Sequence, residues 1–110
     1  MHNFILILFP TGEIRMKYQP QSYSIDDVLR ECASNIPPSL ELQARELVTQ
    51  LNVGVPYTTL GGVRLRRLPS MFRFKVGRGF RLICVAKAGQ LLPALLMSRQ
   101  DFESFVRRRR

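Results

Sequence analysis

Four cations, Arg73, Lys75, Arg81 and Arg99, recur at strand-like spacing in the C-terminal half of this 110-residue chain. The stretch from Met71 to Gly89 reads MFRFKVGRGFRLICVAKAG. Apolar and cationic residues alternate, the chain turns over Gly77-Arg78-Gly79, and the alternation resumes. Arginine presents a planar fork of donors that makes two charge-assisted bonds to a phosphate or a carboxylate. The chemistry on offer is therefore the gripping of an anion. Arg64, Arg66, Arg67 and Arg78 extend the cationic run as contacts for a nucleic-acid backbone. The carboxylates of this half are Asp101 and Glu103.

Charge is the most informative bulk property. The chain carries a net +9 and has a pI near 10.8. Residues 1–63 hold four basic side chains against six acidic ones, whereas residues 64–110 hold thirteen against two. Such asymmetry suits a nucleic acid, ribosomal RNA or an acidic protein; a surface built for solubility mixes both signs. The sole histidine, His2, is far from the cationic run in sequence, and no Cys/His cluster has metal-ligand spacing. No metal and no small-molecule cofactor is expected. Two cysteines, Cys32 and Cys84, are too few for a disulfide framework and read as reduced core residues of a cytoplasmic protein. No apolar run approaches the ~18 residues of a membrane span. Phe4–Phe9 lacks a basic flank and a cleavage site, so it reads as a buried strand rather than a signal peptide.

Periodicity supplies the elements that must position these side chains. After Phe4–Phe9, Glu13–Gln19 returns as a second strand. Ser24 is an N-cap, and Ile25, Val28, Leu29, Cys32 and Ala33 form one helical stripe. Asn35–Pro38 breaks it. Ser39 opens a second helix whose stripe is Leu40, Ala44, Leu47, Val48 and Leu51, stopped near Gly54. From Val55 the period becomes two. Gly61-Gly62 marks a turn or a close backbone approach. Val63–Arg66, Phe72–Val76 and Phe80–Ala86 alternate, and Leu91–Met97 is nearly all apolar, with Pro93 marking a bulge or a position whose nitrogen is unpaired. Ser98 caps a final helix held by Phe102, Phe105 and Val106, after which Arg107–Arg110 trails into solvent. The predicted fold is α+β: a helical hairpin on a twisted, mainly antiparallel sheet of about four strands, with an N-terminal strand extension over residues 1–13 and a short C-terminal helix. Residues 1–110 read as a single domain.

The run Phe72-Arg73-Phe74-Lys75-Val76-Gly77, then Phe80-Arg81-Leu82-Ile83, then a strand closing on Ser98-Arg99, resembles the RelE/ParE superfamily of toxins from bacterial type II toxin–antitoxin modules. The likeness spans roughly residues 14–106. It implies a cognate antitoxin whose acidic segment covers the basic sheet face. RelE-like members cut messenger RNA on the ribosome; ParE-like members poison DNA gyrase. For RNA cleavage a 2′-hydroxyl must give up its proton and attack the adjacent phosphate, the dianionic phosphorane must be stabilised, and the 5′-oxygen must leave with a proton. Residue type and placement give that work to Arg81, Arg99 and Lys75, with Asp101, or else Glu103, as a proton acceptor, and RNA binding to Arg64, Arg66, Arg67, Arg73 and Arg78. Phe105 stands about where the family often carries a tyrosine, and it has no hydroxyl. The readings are a translation inhibitor acting by mRNA cleavage, a noncatalytic gyrase inhibitor, and a plain RNA-binding module.

Overall fold

The computed structural model describes residues 4–8, 14–18, 23–32 and 34–108, the first two segments as backbone strands only. Strands β1 (Phe4–Leu8) and β2 (Ile14–Tyr18) pair antiparallel as a two-stranded sheet. The side chains of Phe4–Phe9, and with them the expected burial of that strand, lie outside the described residues, as does Ala33. Helices α1 (Ile25–Arg30) and α2 (Pro38–Asn52) follow. Then come β3 (Val63–Arg64), β4 (Met71–Val76), β5 (Phe80–Lys87), β6 (Gln90–Ser98) and α3 (Arg99–Arg108). The four later strands form one antiparallel sheet in the order β3-β4-β5-β6.

Local chemistry accounts for the element ends. Ser24 Oγ accepts from the Asp26 N–H at the start of α1. Helix α1 stops at Arg30, so Cys32 follows the helix instead of ending its stripe, yet it still packs against the core. Helix α2 begins at Pro38, one residue earlier than Ser39. Proline suits the first helical position because its missing N–H would have no helical partner there. The Pro37 carbonyl accepts from Leu40 and Glu41, each at 3.0 Å. Strand β3 is limited to two residues. Ala88 and Gly89 both have positive φ, 53° and 78°, which is the backbone of a two-residue hairpin turn between Lys87 and Gln90. In β6 the partner of Ile83 is Leu95 and that of Cys84 is Pro93, so Ala94 is the extra residue of a bulge.

The core lies between the helices and one face of the sheet. Phe72, Phe74, Val76, Phe80, Leu82, Cys84 and Leu96 meet Val28, Ala44, Leu47 and Val48 there. Ala86, which the alternation puts on this face, is exposed. A Cβ on Gly62 would lie 2.5 Å from the Phe74 ring, so the close approach foreseen at Gly61-Gly62 occurs at Gly62. Burial pushes the Cys84 thiol up to about 12, which leaves it an inert core group. Arg45 of α2 donates to Asp26 of α1 and ties the helical hairpin at its surface. Phe74 is 0% exposed, whereas Leu42 on the outer side of α2 is 68% exposed. Phe74→Ala should therefore destabilise the fold by about 3–5 kcal/mol in urea unfolding. Leu42→Ala should shift stability by no more than about 0.5 kcal/mol; comparable losses would contradict this packing.

Candidate anion-binding face

Register sends the cations to the face opposite the helical hairpin. Side chains alternate along a strand, and directly opposed residues share a face. Lys75 pairs with Arg81, and Arg73 pairs with Ile83. Arg81 also opposes Met97 of β6. Arg73, Lys75, Arg81 and Ile83 thus occupy one side, while Phe72, Phe74 and Val76 point to the core. Ile83 is 0% exposed on this outer side, where α3 contacts β5 and β6 and buries Phe105.

Arg81 is the buried charge of this face, only 8% exposed. Its Nη1 donates to the Phe80 carbonyl at 2.8 Å and to the Arg78 carbonyl at 3.1 Å. The intervening Gly79 carbonyl accepts from the Arg99 N–H at 2.8 Å. All three consecutive carbonyls of the β4–β5 turn are therefore occupied, and the turn is clamped to the start of α3. Gly77 enters the turn with φ +62°, a conformation that favours glycine. Gly77 and Gly79 shape a turn here, not a phosphate loop. Among the described residues no carboxylate bonds to Arg81. Burial lowers its pKa, and the positive charges of Arg73 and Arg99 lower it further, with Glu103 opposing them. Those three arginines consequently form one electrostatic group with a single carboxylate beside it.

Arg99 sits at the first position of α3, where Ser98 Oγ accepts from the Asp101 N–H at 3.1 Å and caps the helix. Arg99 Nε lies 3.4 Å from Glu103 Oε2, an exposed i, i+4 pair. Asp101 occupies the exposed first turn, where an acid complements the helix dipole. Gly79, Ser98, Arg99, Gln100 and Glu103 line an open groove of about 470 Å³ at this corner. Helix α3 continues through Arg108, so Arg107 and Arg108 belong to it rather than to a trailing tail.

The remaining cations are distributed more widely. Arg78 is exposed on the turn. Arg64 opposes Phe72, and its guanidinium lies 5.5 Å from that ring's centroid, so it stands on the other side of the sheet from Arg73. Arg66 and Arg67 lie on the β3–β4 loop, beside α3. Tyr57 packs edge-on to Phe72 with centroids 4.7 Å apart and belongs to the core side. Among the described residues no three His, Cys, Asp or Glu side chains gather as a metal site, and no helix is long and apolar enough to cross a membrane.

The model of the ParE-like toxin domain matches residues 38–104, from the first turn of α2 into α3. The chain belongs to the ParE-like toxin domain family. No curated protein and no solved structure matches it. The matched span holds Arg73, Lys75, Arg81, Arg99, Asp101 and Glu103, and it leaves the β1–β2 pair and α1 outside. Membership makes this ParE-like chain a toxin and implies an antitoxin partner. Sequence alone did not reveal the clamp on the turn. An alternating Arg81 signals which face it takes, but not that its guanidinium folds back on carbonyls one and three residues earlier. Arg81→Ala should cost about 1–3 kcal/mol, because the charge-assisted bonds to the Arg78 and Phe80 carbonyls are lost. Arg99→Ala should leave stability nearly unchanged, because exposed ion pairs contribute little. Equal destabilisation in urea would contradict the assigned clamp.

Proposed function

We propose that this toxin inhibits translation in the cytoplasm as part of a type II toxin–antitoxin module, by binding and cleaving messenger RNA on the ribosome. The observation that carries the reading is that the positive charges of Arg73 and Arg99 lie close enough to buried Arg81 to act on it. Like charges held together are unfavourable until an anion occupies the space between them. A phosphate supplies that charge, and a phosphorane dianion supplies more of it. The cluster is thus better matched to the transition state than to the bound RNA. Lys75, exposed opposite Arg81, adds a further point charge. The proton acceptor is a carboxylate of α3, either Asp101 or its neighbour Glu103. Glu103 is already held at the cluster by Arg99.

A second reading, noncatalytic inhibition of DNA gyrase, draws on two observations. The matching family is ParE-like, and Phe105, 8% exposed, brings a bare ring rather than a hydroxyl to this side of the sheet. Induction of the chain in a bacterial host separates the readings. Primer extension on an abundant transcript is expected to give discrete in-frame cuts. Arg73→Ala and Arg99→Ala should each weaken them about a hundredfold, the scale of losing one oxyanion-stabilising donor. Intact transcripts with stalled gyrase–DNA complexes would overturn the RNA reading in favour of the second. Growth with neither lesion would overturn both.

A further inference from the structure

The corner where the β4–β5 turn meets α3 holds one residue that neither backbone conformation nor packing explains. Gly79 has no positive φ, unlike Gly77 two residues earlier in the same turn. Its backbone therefore does not call for glycine. Crowding does not call for it either. A Cβ at Gly79 would meet nothing within 4 Å, whereas one at Gly62 would strike the Phe74 ring. The missing side chain leaves open space, and that space belongs to the groove of about 470 Å³ lined by Gly79, Ser98, Arg99, Gln100 and Glu103. The walls of the groove are fixed to each other. The Gly79 carbonyl accepts from the Arg99 N–H at 2.8 Å, and Arg81 holds the carbonyls on either side of it. Gln100 is exposed beside Arg99, and among the described residues no partner engages its side-chain amide. Glu103, by contrast, is turned to Arg99 at 3.4 Å.

We infer that this groove seats one base of a single-stranded RNA, and that Gln100 selects adenine there. The preference rests on the RNA contact proposed for Arg73 and Arg99 and gives that same site its sequence choice. A phosphate held by Arg99 brings its own nucleoside to the adjoining groove. Without a Cβ at Gly79, a flat ring can lie against the turn backbone. The Arg99 guanidinium is a plane on which a base stacks. The Gln100 amide carries a donor and an acceptor, the pattern that pairs bidentately with N6 and N7 of adenine. Guanine turns two acceptors, O6 and N7, to the same edge. Pyrimidines have no N7 and less surface to stack.

Fluorescence anisotropy of the full chain with end-labelled single-stranded oligomers tests the groove. Hexauridylate is compared with the same oligomer carrying one central adenosine, guanosine or cytidine. The adenosine oligomer is expected to bind about tenfold more tightly than the other three, the scale of one bidentate base contact. Gln100→Ala, at an exposed position, should bring the four affinities together. Gly79→Val should do the same by filling the groove. Gly79→Ala should unfold in urea at the wild-type midpoint or above it, because its Cβ meets open space. Equal affinities for the wild-type chain, a preference for another base, an adenine preference that survives Gln100→Ala, or a lowered midpoint for Gly79→Ala would each overturn the inference and leave the phosphate grip standing. Failure to bind any of the four oligomers would overturn the grip and the preference together.

Discussion

Antiparallel pairing of β4 with β5, with Val76 opposite Phe80 and Phe74 opposite Leu82, sorts every side chain of the central hairpin to one of two faces. Phe72, Phe74, Val76, Phe80, Leu82 and Cys84 go to the helices, and Arg73, Lys75 and Arg81 go to the other side. A slip of one residue would exchange the two sets. It would bury three cations and expose the largest rings of the core. Hydrophobic burial, which stabilises the domain, thereby also fixes where the charge must lie.

Holding that charge together has consequences at the turn. Arg81 is nearly buried beside two other arginines, so it needs acceptors. It finds them in the carbonyls of Arg78 and Phe80. The same turn is joined to α3 through Gly79 and Arg99. Strand register, turn and helix start are thus coupled. Arg81 is thereby held in place by its own turn.

The sequence was most legible where one local rule governs. Alternation identified the β4–β5 hairpin, Ser98 announced the cap of α3, Pro93 pointed to a bulge or an unpaired nitrogen, and Gly61-Gly62 pointed to a turn or a close approach. It was less legible where two rules compete. The stripe of α1 runs on to Cys32, but the helix ends at Arg30 while the side chain of Cys32 keeps its apolar contact. Arg64 read as one more member of the cationic row, yet the register of β3 turns it onto Phe72. Contacts between distant segments were not legible at all. Nothing local in Leu65–Leu68 says that Val106 will face it, and periodicity cannot show a guanidinium bonding its own turn. The family match and the resemblance to RelE/ParE toxins agree over the hairpin because its pattern is carried by adjacent residues.

Salt dependence of binding to single-stranded RNA tests the phosphate grip most directly. If Arg73, Lys75, Arg81 and Arg99 neutralise phosphates, the logarithm of the association constant should fall against the logarithm of salt concentration with a slope of about −2 to −3. Arg73→Ala and Arg99→Ala should each flatten that slope by about 0.7. A slope near zero, or one that neither substitution changes, would contradict the account.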